Sequence, residues 1–494
     1  MTNSFAVRKI CCIFAPDFKN KTLVMKIIGR KEECADLQHF VTSDRSEFIA
    51  IYGRRRVGKT FLVRQLFGDK MVFSVTGMLD GSATDQRVVF SSALREYGCE
   101  KPFFHTWVDA FAKLRQLLES KRTKKPLIIF IDELPCFDTQ RSGFVNALGH
   151  FWNSWAAWQG NVKLIVCGSA TSWMTKNLLD SRGGLHNRLT KTMWLKPFTL
   201  SESREYFESA GFRWTSATIA QCYMIMGGVP YYFSLLDRNT SLNDNIDRLF
   251  FSKGGELRME FGRLYGSLFR NPDRYTDVIE LLAQKRKGMT RNEMFDNGIG
   301  GKLSVILDDL VQCGFIEYTN VLGSRNKIMG SRNALYRLTD FYSIFYMDFC
   351  KEKTTDEHYW SHMVGTQKVN TWFGFAFERL CMAHIEQIKH SLGISGIHTE
   401  YYSWRSKEVQ PAAQIDLIID RADGMINLCE LKYSSGKYHL TKSEYEKIEN
   451  RRNAFIIENN IRKGVFLTMI TSNGLVDNEY ASEINQSLTT DDLY

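Results

Sequence analysis

Three features that the sequence lacks narrow the class of protein. No apolar run reaches the roughly 18 residues that a membrane-spanning helix needs, so no membrane segment is predicted. The eleven cysteines include no C-x-x-C pair, which favours reduced thiols in a cytoplasmic protein over a disulfide framework or a zinc site. A strong charge excess is also missing. The net charge of +9 over 494 residues permits a nucleic-acid partner without requiring one.

The length and composition indicate a globular protein of several domains. A chain of 494 residues exceeds what one hydrophobic core usually supports, so two to four domains are expected. A hydrophobic content of 44% and a charged content of 24% are ordinary for such proteins. Residues 1–24 contain a short apolar segment without a signal-peptide cleavage site, so we expect an unstructured leader that reflects the choice of start site, with Met25 as the natural initiator.

The clearest motif is Gly-x-x-x-x-Gly-Lys-Thr, placed between an apolar β-favouring run and an amphipathic helix. It consists of Gly53, Arg54, Arg55, Arg56, Val57, Gly58, Lys59 and Thr60. In this context the glycines let backbone N–H groups surround a phosphate, the lysine adds a point charge, and the threonine offers a hydroxyl to Mg²⁺. The motif predicts ATP and Mg²⁺ as ligands. The three arginines exceed the charge of a phosphate cradle, so contact with a neighbouring subunit of a homo-oligomer or with a polyanion is a further expectation.

A second motif lies at the end of a continuous apolar run, Leu127–Ile131. Such a run predicts a strand buried on both faces, which is typical of a parallel α/β sheet. It ends at Asp132 and Glu133. As a Walker B motif, Asp132 would hold Mg²⁺ and Glu133 would act as general base toward the attacking water. The alternative is that the two carboxylates only cap the strand end.

Two further positions have both a functional and an ordinary interpretation. A third buried strand, 162–169, ends at Ser169, which either hydrogen-bonds the γ-phosphate or belongs to a small polar turn. Arg188 ends a basic, glycine-containing loop at 182–188. It is a candidate arginine finger, since a cation that reaches the transferred phosphate stabilises the transition state; the alternative is a surface arginine.

The next two regions are predicted to be mostly helical. Residues 197–270 suit a helical lid over the nucleotide, and residues 271–350, with three helices and a hairpin, suit a winged helix-turn-helix. The third helix is expected to expose Asp308 and Asp309, where a major-groove reader would need Arg, Asn or Gln. Only the wing is clearly basic, through Arg325, Lys327 and Arg332. DNA contact and a structural or protein-contact role therefore both remain open.

Several of these motifs together resemble one ATPase family. They are Ile28–Glu32, Gly53–Thr60, Asp132–Pro135, Gly168–Ser169, Arg188 and Gly227–Pro230. From Met25 to about Cys350 the chain resembles the archaeal ATPase family, which is AAA+-like and related to STAND proteins. The resemblance implies that Gly29 and Arg30 lie near the adenine and that Gly228 and Pro230 touch the nucleotide. Lys31 stands where the family commonly has an acidic residue.

A second chemical constellation lies in residues 368–475. Asp416 and Glu430 fall on two strands joined by a turn at Asp423-Gly424, and Lys432 shares a strand face with Glu430. Two carboxylates and a lysine suit Mg²⁺ and a water that attacks a phosphodiester, with Asp416 and Glu430 as metal ligands and Lys432 orienting the water. Glu378, on an earlier helix, would add a third carboxylate. The alternative is a surface hairpin with a salt bridge.

This constellation resembles the PD-(D/E)xK restriction-endonuclease-like fold over about Lys368 to Met469. The family's acid and ExK pattern falls on Asp416, Glu430 and Lys432, and its first-helix glutamate on Glu378. Ile415 stands where the family has proline. The resemblance implies an endonuclease-like domain, with cleavage left open.

The sequence thus predicts an α/β protein with a P-loop NTPase core (25–196), a helical lid (197–270), a winged helix (271–350) and an endonuclease-like domain (368–475). The predicted function is that of a Mg²⁺-dependent ATPase coupled to a domain that acts on DNA or RNA. The alternative is a STAND-like regulatory ATP switch whose C-terminal domain binds a partner without cleaving nucleic acid.

Overall fold

A computed structural model of the protein describes residues 26–121, 124–180, 184–185, 187–286, 288–319, 334–352, 354–406 and 413–494. Some sequence-based predictions fall outside these ranges. They concern the leader 1–24, residues 182, 183 and 186 of the basic loop, and the basic wing residues Arg325, Lys327 and Arg332. Within the described ranges, no helix is long and apolar enough to cross a membrane.

The first sheet has five described strands, all parallel. They are β1 (Glu47–Tyr52), β2 (Met71–Thr76), β3 (Leu127–Asp132), β4 (Val162–Gly168) and β5 (Lys191–Trp194). Their order in the sheet is β2-β3-β4-β1-β5. Every residue of β3 and β4 is buried, as expected for strands covered by helices on both faces. The predicted α/β class with a parallel sheet is confirmed.

The strand register brings the carboxyl ends of the strands to one edge. Tyr52 pairs with Gly168, and Thr76 pairs with Asp132. The segments after β1, β3 and β4 therefore leave the sheet side by side, at the edge where open α/β sheets bind ligands. These segments are the ones that carry the predicted nucleotide residues.

Helices of the first domain flank this sheet. They are α1 (Lys31–Thr42), α2 (Lys59–Phe67), α3 (Ala83–Glu96), α4 (Trp107–Ser120), α5 (Phe144–Ser154) and α6 (Thr171–Met174). Short 3₁₀ turns lie at Gly68–Lys70, Leu134–Phe137 and Ala156–Trp158, and a π-helical turn at Thr175–Leu179. α4 begins at Trp107, because the Thr106 hydroxyl accepts a hydrogen bond from the Asp109 N–H and caps the helix there.

Residues 197–270 are mostly helical, as predicted. Their helices are α7 (Leu200–Ser209), α8 (Ser216–Met226), α9 (Pro230–Ser234), α10 (Leu242–Ile246) and α11 (Glu260–Leu268), with a π-helical turn at Asp247–Phe251. Thr199 and Glu202 form a capping box at the start of α7. Residues Gly227–Val229 separate α8 from α9.

The next region contains the predicted helices and hairpin. They are α12 (Pro272–Gln284), α13 (Arg291–Asp296), α14 (Leu303–Gln312) and the antiparallel strands β6 (Ile316–Thr319) and β7 (Leu335–Leu338). The expectation that α14 exposes both aspartates is wrong for Asp309. Its carboxylate is buried, accepts a hydrogen bond from the Tyr275 hydroxyl at 2.7 Å and pairs with Lys176 at 3.0 Å. Assignment of this region as a winged helix stays a prediction.

The C-terminal part has a mixed sheet with the order β12-β11-β10-β9-β8. Its strands are β8 (Thr399–Arg405), β9 (Gln414–Arg421), β10 (Met425–Lys432), β11 (Gly464–Thr471) and β12 (Gln486–Thr489). The accompanying helices are α15 (Phe341–Phe345), α16 (Tyr359–Met363), α17 (Gln367–Ala383), α18 (Ile385–Ser391) and α19 (Lys442–Glu458), with a π-helical turn at Tyr346–Cys350 and a 3₁₀ turn at Thr490–Leu493. β9 and β10 form the predicted hairpin, and α19 connects β10 to the parallel strand β11.

The buried apolar side chains form separate clusters, which differ in how much of the chain they include. Two clusters of buried side chains cover the two faces of the first sheet. One larger cluster runs without interruption from residues 198–282 through 289–350 to α17 and one face of the C-terminal sheet. The region after residue 197 is therefore packed together by apolar contacts, and its links to the phosphate loop, described below, are ion pairs.

Candidate functional site

The segment between β1 and α2 has the backbone of a phosphate cradle. Arg56 and Gly58 are both left-handed, with φ of 73° and 94°, and alternation of right- and left-handed residues turns successive N–H groups into a concave anion site. Gly53 is fixed for a different reason, because a Cβ there would lie 2.3 Å from the carbonyl oxygen of Leu195. The loop opens directly into α2, whose N-terminus favours anions.

Lys59 is buried within this loop. Its ammonium donates to the carbonyl oxygens of Gly53 at 2.8 Å and Arg54 at 2.9 Å, and to the Ser169 hydroxyl at 3.0 Å. Burial lowers the pKa of Lys59, while the charges of Glu133 and Asp132 oppose that effect. The lysine is thus held at the carboxyl edge of the sheet, on its own loop.

Thr60 and Asp132 provide a hydroxyl and a carboxylate side by side. The Thr60 hydroxyl donates to Asp132 Oδ2 at 2.8 Å. Burial, followed by the charge of Glu133, raises the pKa of Asp132 to about 6. A hydroxyl and a carboxylate oxygen are the hard ligands that Mg²⁺ prefers, so this donor set fits the predicted ion.

Glu133 is linked to Lys59 through one serine. Its carboxylate accepts hydrogen bonds from the Ser169 hydroxyl at 2.6 Å and the Ser169 N–H at 3.1 Å, and the same hydroxyl accepts from Lys59. Glu133 has a left-handed backbone, with φ of 46°, a conformation that non-glycine residues adopt mainly where the surrounding structure imposes it. The three side chains form one hydrogen-bonded row at the edge of the sheet.

Two arginines of the loop pair with acids of the same chain. Arg54, which is 5% exposed, forms a buried ion pair with Asp340, at the start of α15. Arg56 pairs with Glu260 of α11 at 2.8 Å and lies 3.9 Å from the ring centre of Tyr231. Both charges are thus paired with acids of the later domains, and the expected contact with another subunit or a polyanion stays a prediction.

Arg55 and Arg188, which also have predicted roles at the phosphates, differ from Arg54 and Arg56 in having no ion-pair partner among the described residues. The side chain of Arg55 is half-buried beside the loop, and that of Arg188 is exposed in the segment before β5. Among the described residues, neither side chain makes a hydrogen bond or an ion pair. The roles of Arg55 in phosphate binding and of Arg188 as an arginine finger stay predictions.

The positions expected near the adenine meet around Phe198. The guanidinium of Arg30, which follows Gly29, lies 4.8 Å from the Phe198 ring centre and donates to the Lys196 carbonyl at 2.6 Å. Gly228, two residues before Pro230, is held against the Phe198 backbone, where a Cβ would lie 2.0 Å from the carbonyl oxygen. Residues distant in sequence are brought together here; their contact with a nucleotide stays a prediction.

The second constellation assembles on the C-terminal hairpin. The register of β9 and β10 pairs Leu417 with Cys429 and, continued by one residue, places Asp416 opposite Glu430. Glu430 pairs with Lys432 at 2.7 Å and with Arg451 of α19 at 2.9 Å. Asp416 accepts a hydrogen bond from the Gln414 amide at 2.6 Å. Both oxygens of Glu430 are thus held by cations.

Glu378, on α17, lines the same cavity as Asp416. Burial, followed by the charge of Asp416, raises the pKa of Glu378 to about 7, while Arg379 and Lys432 oppose the shift. Across the described ranges, no group of three or more His, Cys, Asp or Glu side chains is arranged to hold a metal ion. The Mg²⁺ site expected at Asp416 and Glu430, which has only two carboxylates, stays a prediction.

Sequence reasoning missed three partners in these two sites. Asp340 and Glu260 neutralise arginines of the phosphate loop, and Arg451 binds Glu430. Asp340 lies 286 residues from Arg54, so no local spacing connects them. Arg451, on a helix that follows β10, could have been suggested by its position but not distinguished from neighbouring basic residues.

A parallel five-stranded sheet with a glycine-rich loop at its carboxyl edge defines a P-loop nucleotide-binding protein. Residues 27–236 match the family described as an ATPase domain predominantly from Archaea. The chain belongs to this ATPase family through that domain, and it carries an ATP-binding ATPase domain.

Individual proteins similar to this chain share a low sequence identity with it or match only a short part of it. An uncharacterized protein of Methanocaldococcus jannaschii is 24% identical over 364 residues, which cover 72% of this chain and 76% of that protein. An uncharacterized ATP-binding protein of the same organism is 35% identical over 49 residues, 10% of this chain and 83% of that protein. A Walker-type ATPase of Pyrococcus abyssi of known structure is 17% identical, with a TM-score of 0.47, over 67% of this chain and 99% of that one.

Proposed function

We propose that this protein is a Mg²⁺-dependent ATPase in which Lys59 binds the phosphates, Thr60 and Asp132 hold the ion, and Glu133 is the general base. The observation that carries the proposal is the row of hydrogen bonds from Lys59 through Ser169 to Glu133, beside the Thr60–Asp132 pair. Bound Mg²⁺ would neutralise charge on the phosphate oxygens. The buried surroundings of Lys59 and Asp132 would strengthen these interactions relative to water.

In this scheme Glu133 accepts a proton from the water that attacks the terminal phosphate. Ser169 positions the carboxylate through its hydroxyl and its N–H. Arg188 would approach from the segment before β5, and Arg55 would add a cation at the loop. Gly29, Arg30, Gly228 and Pro230 would border the base of the nucleotide.

The Lys59→Ala variant tests the phosphate-binding role. We expect loss of ATP binding, measured by titration calorimetry, and loss of phosphate release. Lys70→Ala is the matched control, because Lys70 lies exposed at the end of the same βα unit and should leave both unchanged. Retained hydrolysis in Lys59→Ala would refute the assignment of this loop.

We further propose that the ATPase acts on the C-terminal region through the ion pairs of Arg54 and Arg56. Both arginines belong to the phosphate loop, and both acids belong to the region that shares one core with the C-terminal sheet. Any nucleotide-dependent shift of the loop would be transmitted to that region. In other nucleotide-binding proteins, loops that contact the terminal phosphate change conformation in the same way when that phosphate is lost. The leading proposal for the C-terminal domain is action on DNA or RNA through Asp416, Glu430, Lys432 and Glu378.

A second candidate function is a regulatory ATP switch whose C-terminal domain binds a partner without cleaving nucleic acid. The observation that favours it is the double ion pair of Glu430, which engages the carboxylate that a metal would need. The two candidates are separated by a nuclease assay on DNA and RNA with ATP and either Mg²⁺ or Mn²⁺. Cleavage that Glu430→Ala abolishes, with ATPase activity intact, supports the first; absence of cleavage by the unmodified protein in every condition supports the second.

A further inference from the structure

A cavity of about 910 Å³ lies between the β6–β7 hairpin and the C-terminal domain. The hairpin contributes Glu317 and Arg337, α17 contributes Glu378 and Arg379, and α19 contributes Arg451. Two acids of the proposed C-terminal site, Glu378 and Asp416, therefore line this cavity. They face a chamber whose opposite wall is the hairpin.

The charges that line the cavity are predominantly positive. Its cations are Arg286, Arg337, Arg379, Lys447 and Arg451, and its carboxylates are Glu317, Glu378 and Asp416. The lining cations outnumber the lining carboxylates by five to three. Because Arg451 is paired with Glu430 and Arg286 with Asp348, the excess of positive charge is small. Such a surface attracts an anionic ligand.

Among the residues that line the cavity, Arg379 points most directly to an anionic ligand. Its Nε is buried and has no hydrogen-bond partner among the described residues. Burial lowers the pKa of Arg379 to about 10, and Asp348 opposes that shift. Asp348 itself accepts from the Trp372 indole at 2.8 Å and pairs with Arg286 at 3.5 Å. Among the described residues, Arg54, Arg204 and Arg452 also have a buried Nε without an acceptor, but of these four arginines only Arg379 lines the cavity, where an anion could supply the acceptor.

Arg286 is held next to this donor. Its guanidinium lies 4.7 Å from the ring centre of Phe375, one helical turn before Arg379 on α17. Guanidinium groups bind phosphate oxygens through parallel hydrogen bonds, which a lysine cannot reproduce. Arg286 pairs with Asp348, and the charge of Asp348 also acts on Arg379. Two guanidinium groups on one wall of the cavity match the chemistry of a phosphate group.

We propose that Arg379 and Arg286 form a phosphate-binding subsite for a single nucleic-acid strand, positioned in the cavity beside Glu378 and Asp416. The inference depends on the proposed action of the C-terminal domain on nucleic acid. The cavity volume lies at the upper end of the roughly 300–1,000 Å³ of small-ligand pockets, enough for a short stretch of strand. A cavity of this volume is too small for a double helix, so we expect an unpaired strand there.

The test measures binding without cleavage. The full chain carries Lys59→Ala, so that the phosphate loop does not contribute, and the buffer contains EDTA. Fluorescence anisotropy follows a 5′-labelled single-stranded oligothymidylate of ten nucleotides, with a duplex of the same length and with AMP as competitors. Arg379→Gln is compared with Arg379→Lys and with Arg462→Gln, an exposed position of the same domain that does not line the cavity.

Arg379→Gln should weaken binding of the single strand roughly tenfold or more, as expected for loss of a hydrogen bond between charged groups. Arg379→Lys should fall between that variant and the parent, and Arg462→Gln should match the parent. Melting temperatures show whether the variants are folded. Unchanged binding in folded Arg379→Gln, equal binding of the duplex, or competition by AMP as effective as that by the strand would overturn the proposal.

The failure of this inference can be distinguished from failure of the proposed function. Strand binding that depends on Arg379, in a protein that never cleaves, supports the subsite while refuting nuclease activity. Cleavage that proceeds with the same KM in Arg379→Gln refutes the subsite while leaving the nuclease proposal intact.

Discussion

The buried ion pair between Arg54 and Asp340 provides the most demanding prediction. Arg54 is 5% exposed and Asp340 is 2% exposed, and Arg54 Nε and Nη2 have no hydrogen-bond partner among the described residues. Asp340→Asn keeps an oxygen that can cap α15, where the carboxylate now accepts from the Ser343 N–H at 3.0 Å. The substitution removes the charge and also one of the two acceptor oxygens, of which Oδ1 now binds Arg54 and Oδ2 binds Ser343. The guanidinium would then be buried without an anion.

Removal of one partner of a buried ion pair typically costs about 3–5 kcal/mol, because the other charge stays uncompensated. We expect Asp340→Asn to lower the free energy of unfolding by an amount in this range, and Arg54→Met to recover part of the loss when the two changes are combined. Urea unfolding of the single and double variants measures the coupling. Asp308→Asn, an exposed aspartate of α14, is the control and should change stability by less than about 0.5 kcal/mol.

The same change should weaken ATP binding. The Arg54 carbonyl accepts a hydrogen bond from Lys59, so displacement of Arg54 moves an atom that positions the phosphate-binding lysine. A loss of stability below about 1 kcal/mol in Asp340→Asn, or double-variant effects that simply add, would refute the view that this pair joins the phosphate loop to the later domains.

Three other predictions concern the two sites. Ser169→Ala should reduce ATP turnover roughly tenfold or more while largely preserving ATP binding, because Glu133 loses the hydroxyl that positions it; equal loss of binding and turnover would contradict this. Burial raises the pKa of Asp132 to about 6, and a protonated carboxyl is a poor ligand, so the Mg²⁺ concentration needed for half-maximal turnover should rise as the pH falls through 6; a requirement that is constant between pH 5.5 and 8 would argue against Asp132 as the ligand. The pKa of Glu378 is raised to about 7, above its unfolded value, so its ionisation costs stability as the pH rises toward and through 7. Glu378→Gln should therefore be more stable than the unmodified protein at pH 8 and lose that advantage near pH 4.5, as thermal melts at the two pH values would show.

Features determined by neighbouring residues were predictable from the sequence. The buried strand that ends at Asp132 and the capping box of Thr199 and Glu202 each have their signal within a few residues. The hairpin turned at Asp423-Gly424 is of the same kind, since the turn residues and the alternating strands are adjacent. In each case local backbone preference and the tertiary structure agree.

Features determined by distant contacts were not predictable. The periodicity of α14 suggested that Asp309 is exposed, but Lys176 and Tyr275 approach it from other elements and bury it. Likewise, the arginine run in the phosphate loop indicated charge without indicating what neutralises it. The acids that do so lie on α11 and at the start of α15, and only the packing of the helical regions against the first sheet brings them near.

The most direct test of the ATPase proposal compares ATP binding and ATP turnover in Glu133→Gln. The substitution keeps the size and a hydrogen-bond acceptor of the side chain, so Ser169 and Lys59 can retain their places. We predict ATP affinity close to that of the unmodified protein, with turnover reduced by about 100-fold or more, because the amide cannot accept the proton of the attacking water. Turnover within a fewfold of the unmodified protein would contradict the role of Glu133 and, with it, the proposed mechanism.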